Sequence, residues 1–311
     1  MRDEIETSRF PRVNPDFGIA AGTVRACETC RRVIADGDQV SDLNRRKFMA
    51  GLAVAIVSGV GLARWQVDTA PPVLAAAKAP PPPAAFRLPG LLPPPAPEAR
   101  IALPGRGTLW SLPGDGDSLA LTLDDGVDTD VVRMYTQFAK DTGLRFTYFV
   151  NGRNHSWMDN KDLLRPLVES GQIQLGNHTF SHPDLTTLSV KQAMDEISRN
   201  DNFLKQTYGT DARPYLRPPY GAHNSTVDAI AAGLGYTVTT LWSGDLGDYD
   251  LVSVDSIVKA ADRFFTPQTV VIGHLNHPPV THVYGHFVDL IRDRKLRSVT
   301  LNDIFVKPPS V

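Results

Sequence analysis

Cysteine is nearly missing from this chain: Cys27 and Cys30 are the only two in 311 residues. They form a C-x-x-C near the amino-terminal end with no recognisable domain around it. Neither a redox centre nor a zinc site is expected there, and a disulfide scaffold is excluded. Strong charge of either sign is also missing, since 32 basic and 34 acidic residues leave a formal charge of -2. No long basic run lies beyond the amino-terminal region, which argues against a surface that tracks nucleic-acid phosphates. Long apolar runs are absent too. The most apolar stretch, Met49 to Ala63, is fifteen residues, short of the about 20 that cross a bilayer. What the chain does have is a 42% hydrophobic content, enough to bury one large core or two smaller ones.

The short apolar run follows Arg45 and Arg46, and that pairing suits the core of an export signal. Arg45-Arg46-Lys47-Phe48-Met49 resembles the twin-arginine motif, with Asn44 where Ser or Thr is usual and Met49 where Leu is usual. Residues 44–77 are therefore expected to be a signal segment. Ala75-Ala76-Ala77 offers a cleavage site, and an uncleaved segment would serve as a membrane tether. Residues 1–43 form an extension ahead of it, within which Val40 is a candidate alternative start. From Ala70 to Arg100 there are eleven prolines in thirty-one residues, without helical or strand periodicity. This reads as an extended, polyproline-like spacer. Residues 78–100 are assigned to that linker and 101–311 to the folded domain, which is expected to work in the cell envelope or outside the cell.

Within the domain, short apolar runs alternate with amphipathic stretches. Strands are expected at 118–123, 146–151, 172–177, 214–218, 236–242, 269–274 and 297–301. Helices are expected at 129–141, 160–170, 189–207, 224–234, 253–264 and 282–294. Alternation of this kind implies an α/β fold with a parallel sheet, either closed into a barrel or left open and doubly wound.

In either architecture functional groups gather at the carboxyl ends of the strands. The first strand ends in Asp124-Asp125-Gly126, and because side chains alternate across a strand the two carboxylates point apart and can hold different roles. The third strand leads into His178 and His182. Four residues apart on a helix, two imidazoles share a face; with one aspartate they make three ligands and leave room for water or substrate, as in a catalytic zinc site. The same donor set would also suit a non-haem iron. Arg217 follows the fourth strand as a fixed cation beside Pro218-Pro219-Tyr220. Asp245, Asp248 and His274, after the fifth and sixth strands, are candidates for a charged pair in which an aspartate keeps a histidine protonated as a general acid. His277, His282 and His286 read as surface or helix residues.

Together these motifs resemble the polysaccharide deacetylase family, the NodB-homology domain of carbohydrate esterase family 4. Thr122-Leu123-Asp124-Asp125-Gly126, His178-Thr179-Phe180-Ser181-His182 and Arg217-Pro218-Pro219-Tyr220 follow its first three motifs in order. Asp248-Tyr249 and Ile272-Gly273-His274 follow its last two, with tyrosine at the usual tryptophan. The resemblance implies a distorted (β/α)7 barrel and a hydrolase that removes acetyl groups from N-acetylated sugars of a polysaccharide such as peptidoglycan or chitin. It implies Asp124 as base, Arg217 as its partner, and Asp125, His178 and His182 as ligands of one divalent ion, zinc or else cobalt or another. His274 would be the acid, tuned by Asp248, with the Tyr220 backbone N–H at the oxyanion and Trp242 facing substrate. An O-acetyl esterase and a non-catalytic carbohydrate-binding protein of the same fold are the alternatives.

Overall fold

A computed structural model describes residues 87–103 and 105–306. Cys27, Cys30, the Arg45-Arg46 segment, the Ala75–Ala77 cleavage site and residues 78–86 of the expected linker lie outside the described residues. Among those described, no helix is long and apolar enough to cross a membrane.

In chain order the elements are β1 (Ile101–Ala102), β2 (Gly107–Leu109), β3 (Ser118–Asp125), α1 (Thr129–Thr142), β4 (Phe146–Val150), α2 (Ser156–Asp159), α3 (Lys161–Glu169), β5 (Ile173–Asn177) and α4 (Val190–Tyr208). There follow β6 (Tyr215–Leu216), α5 (Ser225–Gly233), β7 (Val238–Thr240), β8 (Gly244–Asp245), α6 (Val254–Phe264), β9 (Thr269–His274), α7 (Tyr284–Asp293), β10 (Arg297–Ser298), α8 (Leu301–Ile304) and β11 (Phe305–Val306). Each of the seven expected strands and six expected helices coincides with one of these.

Local chemistry sets the helix boundaries. Asp128 caps α1 by accepting from the N–H groups of Asp130 and Val131, and Gly143 ends the helix at φ 73°, where a side chain would be strained. A capping box of Ser189 and Gln192 starts α4, which stops at Gly209 with φ 67°.

The strands of the main sheet run parallel in the order β2-β7-β6-β5-β4-β3-β9-β8, with β10 also against β3. β7 lies near one end of this order and β8 at the other, yet only residues 241–243 separate them in the chain. The sheet must therefore curl until its two ends meet across that kink. The result is the distorted barrel implied by the family resemblance.

β3 sits at the centre and is buried along its whole length, as expected of a parallel strand covered on both faces. Its side chains divide by parity. Leu119, Leu121 and Leu123 join the large cluster beneath the helices, whereas Ala120 joins a smaller inner cluster with Phe149, Tyr215, Val238 and Val270. Asp124 shares parity with Ala120 and so belongs to the inner side, at the mouth.

The expected linker needs a correction at its carboxyl end. Leu91 is buried in the main cluster, the Leu88 N–H donates to the Thr142 carbonyl at 2.9 Å, and Arg297 Nη1 donates to the Pro93 carbonyl at 2.6 Å. Residues 88–93 thus pack on the domain rather than acting as a free spacer. Proline composition signals extended backbone, but not whether an extended segment finds an apolar groove for its leucines.

Candidate active site

The cleft at the barrel mouth has a volume of about 410 Å³ and is lined by Asp124, Asp125, His178, His182, Tyr220, Trp242, Asp245, Tyr249 and His274, among others. It brings together the ends of β3, β5, β7, β8 and β9 and the turn after β6. Parallel pairing sets the key register: Asp124 on β3 lies directly opposite His274 on β9.

The first group is a cluster of one carboxylate and two imidazoles. His178 Nε2 and His182 Nε2 each lie 3.4 Å from Asp125 Oδ1. The three ligand atoms fall within 4.8 Å of one another, a spacing able to hold one metal ion. The histidines do not share a helix face. They sit in the loop after β5, turned together by left-handed backbone at Thr179 (φ 68°) and His182 (φ 64°). Asp125 (φ 71°) and Tyr220 (φ 60°) are left-handed as well. Such conformations cost of order 1–3 kcal/mol each and concentrate where function needs them.

Donor chemistry fits a cation. Asp125 Oδ1 is buried with no hydrogen-bond donor, while its Oδ2 accepts from Asn276 Nδ2 at 2.7 Å. His178 Nδ1 lies 2.7 Å from the Arg217 carbonyl; that bond places the proton on Nδ1 and leaves the Nε2 lone pair facing the cluster. Burial opposes charge on Asp125, but the neighbouring His178 and His182 and the hydrogen bond from Asn276 hold its carboxyl well below the usual carboxylate range. Burial also opposes charge on His178, yet Asp124 and Asp125 raise its pKa. His182 is lowered, by burial and by His178 beside it. The cluster favours a single positive charge at its centre.

The second group is the buried pair of Asp124 and Arg217. Arg217 Nη1 donates to Asp124 Oδ1 at 2.6 Å, with side-chain exposures of 0% and 2%. Its Nε and Nη2 donate to the Thr240 and Leu241 carbonyls, and its guanidinium lies 4.2 Å from the Phe149 ring centroid. Burial lowers the arginine pKa, but a guanidinium stays ionised. Asp124 Oδ2 is left facing the cluster, 3.5 Å from His178 Nε2.

The third group is His274 with Asp248. His274 Nδ1 lies 3.0 Å from Asp248 Oδ1, and the aspartate is buried. Burial alone would strip the proton from His274; the Asp248 hydrogen bond and the charges of Asp124, Asp248 and Asp125 outweigh it and raise the pKa. Asp245, the other candidate for this pair, instead accepts from the Gly247 N–H. Around the rim, Tyr220 stands edge-on to His182 at 4.7 Å, Tyr249 lies 6.2 Å from His274, and Trp242 is half-buried. His286 pairs with Asp262 at 2.9 Å on the outside of the domain.

Several supporting residues were not singled out from sequence. Trp157 Nε1 and Asn154 Nδ2 donate to the Asp125 carbonyl, and a Cβ on Gly126 would come within 2.3 Å of Trp157. Asn151 Nδ2 donates to the His178 and Thr179 carbonyls. Glu196 accepts from both the N–H and the hydroxyl of Ser181. Asn276, two residues past His274 in the same strand exit, and Asn151, at the end of the expected strand 146–151, carried a positional signal; Asn154 lies in the loop after β4, and Trp157 and Glu196 come from helices.

Residues 112–239 match the Polysaccharide deacetylase family. A chitin deacetylase of Arthroderma benhamiae is 29% identical over 61% of this chain and 52% of its own length. This chain therefore spans about half of that relative. A peptidoglycan-N-acetylglucosamine deacetylase of Bacillus cereus is 26% identical over 63% of this chain and 71% of its own. Among solved structures, a family 4 carbohydrate esterase from Streptomyces lividans, in complex with acetate, is 27% identical with a TM-score of 0.51, covering 62% of this chain and 98% of that one.

Proposed function

As the chain belongs to the polysaccharide deacetylase family, we propose that it is a metal-dependent hydrolase that removes acetyl groups from N-acetylated sugars of a polysaccharide, peptidoglycan or a chitin-like glycan. One observation carries the reading. In a single cleft, a buried Arg217–Asp124 pair, a cluster of one carboxylate and two imidazoles, and a histidine paired with a buried aspartate face the same small space. Binding a sugar requires no such set, whereas hydrolysing an amide by attack of water uses an activated water, a base and an acid for the leaving nitrogen.

Asp125, His178 and His182 would hold the ion, which we take to be zinc. A divalent ion there supplies Lewis acidity to the acetyl carbonyl and to water. Asp124, oriented through Oδ1 by Arg217, accepts a proton at Oδ2 from the water that attacks the carbonyl carbon. The Tyr220 N–H, presented by the left-handed turn, donates to the oxygen that gains charge. His274 gives its proton to the sugar nitrogen as the carbon–nitrogen bond breaks, so the products are acetate and an amine. An amide needs that proton because its anion leaves poorly, while an ester departs more readily. Asp248 keeps His274 protonated, and Trp242 lines the space for the acetyl group and ring.

Export to the envelope or beyond is part of the proposal, supported by the Arg45-Arg46 pair and the apolar run behind it. With the chain loaded with zinc, acetate and free amine are measured from N-acetylglucosamine oligomers and from peptidoglycan. Equal release of both, falling about 100- to 10,000-fold in Asp124→Asn, is the expected result. Acetate release from acetylated xylan alone would replace the N-acetyl substrate with an O-acetyl one.

A further inference from the structure

Asp125 could face the imidazoles with either carboxylate oxygen or with both, and something must choose. Its main chain is held independently, because Trp157 Nε1 and Asn154 Nδ2 both bond its carbonyl at 3.1 and 3.0 Å. Those bonds leave the last side-chain torsion free. Among the described residues, the one side chain outside the cluster that hydrogen-bonds the carboxylate is Asn276, whose Nδ2 lies 2.7 Å from Asp125 Oδ2.

The asparagine is itself fixed at its other end. Its Oδ1 accepts from the Val127 N–H at 3.2 Å, so the amide bridges the two sides of the Asp125-Gly126-Val127 turn. A flipped amide would set its oxygen against the carboxylate and its NH2 against an N–H, losing both bonds. The donor is therefore assigned by the partners. With Oδ2 capped, Oδ1 is left buried, without a donor and 3.4 Å from both imidazole nitrogens.

We propose that Asn276 is a positioning residue that turns one oxygen of Asp125, and only one, toward His178 and His182, and so sets the affinity of the cluster for its ion. The inference rests on the ion-site reading above. It also gives the exit of β9 a second duty: His274 faces substrate from that segment, and two residues later Asn276 holds the ligand carboxylate.

The test reads metal binding rather than turnover. Zinc affinity is measured by competition with a chromophoric chelator for the full chain, Asn276→Ala and Asn154→Ala, with the melting temperature of each ion-free protein recorded alongside. Asn276→Ala is expected to bind zinc about 10- to 100-fold more weakly. Asn154→Ala, which removes a bond to the Asp125 main chain and not to its carboxylate, is expected to lose clearly less. Should the alanine variant fold poorly, Asn276→Leu fills similar volume with nothing to donate and is expected to show the same loss. Unchanged zinc affinity in a folded Asn276 variant overturns the proposal, and so does an equal loss in Asn154→Ala, which would assign the effect to the turn. A wild-type chain that takes up no zinc overturns the ion-site reading itself, and that outcome is read from a separate arm.

Discussion

The loop after β5 and the loop after β8 supply opposite sides of the same cleft and are held in opposite ways. The first carries His178 and His182. Around it the Asn151 amide donates to two of its carbonyls, the Thr179 N–H donates to Asn177 Oδ1 at 2.9 Å, and Ser181 is bonded twice to Glu196. The second carries Asp248 and Tyr249. Asp248 is buried against His274, but Tyr249 is 66% and Leu251 68% exposed, and the loop's own bonds are the short turns of Asp245 to Gly247 and Asp250 to Leu251. The geometry of the proposed ligands thus rests on a dense polar network, whereas the proposed acid rests on one anchored aspartate with a bare rim beyond it. The motif positions follow this division: the β5 loop matches the family pattern, and the β8 loop is where tyrosine stands for tryptophan. A rigid network tolerates little change, while an exposed ring can vary with the substrate it meets.

Three changes probe that contrast. The largest effect is expected from Asn151→Leu, which leaves the buried His178 and Thr179 carbonyls without their donor; a loss of about 1–3 kcal/mol together with weakened zinc binding should appear in denaturant melts and chelator competition. A variant that stays as stable as the parent would mean that the β5 loop does not depend on its network.

Asp248→Asn comes next and acts through pH. The aspartate raises the His274 pKa against the pull of burial, so without it the pKa falls. The imidazolium is then lost at lower pH, and the alkaline limb of the kcat/KM profile should move down. The sign for stability is the same. A raised pKa stabilises the fold fully below the unfolded value of about 6.5 and ceases to do so as pH rises through the folded value. The stability difference between parent and variant should accordingly shrink as pH is raised, and an unmoved alkaline limb would remove His274 from the acid role.

The smallest effect is expected from Tyr249→Ala. Its ring is mostly in solvent, so the melting midpoint should stay within about 0.5 kcal/mol of the parent, while KM for long oligomers should rise several-fold with kcat little changed. A large stability loss would show the β8 rim to be as deeply held as the β5 loop.

Much of this was legible in the order of residues. Strand and helix positions followed from periods of two and 3.6, and the reactive side chains could be found because parallel strands deliver their ends to one edge. His178 and His182 were recognised by spacing, although the turn that joins them is left-handed backbone rather than a helix. The proline-rich segment misled in its second half, because composition reports backbone preference and not the groove that receives Leu88 and Leu91. Trp157 and Glu196 carried no signal, since each reaches the site from a helix rather than from a strand end, whereas Asn151 closes the expected strand 146–151 and could have been found there.

Sequence alone determined which chemical groups this protein owns and which strand end each one occupies, because the alternation of side chains along a strand and the periodicity of a helix are local properties of the backbone. Tertiary structure decided how those groups share protons and charge. It set Asp124 opposite His274 by register, paired Asp248 rather than Asp245 with the histidine, and gave Asp124 and Asp125 different partners. Distances of about 3 Å between residues 26 to 151 positions apart depend on how the sheet curls and how the side chains pack, and no local pattern encodes them.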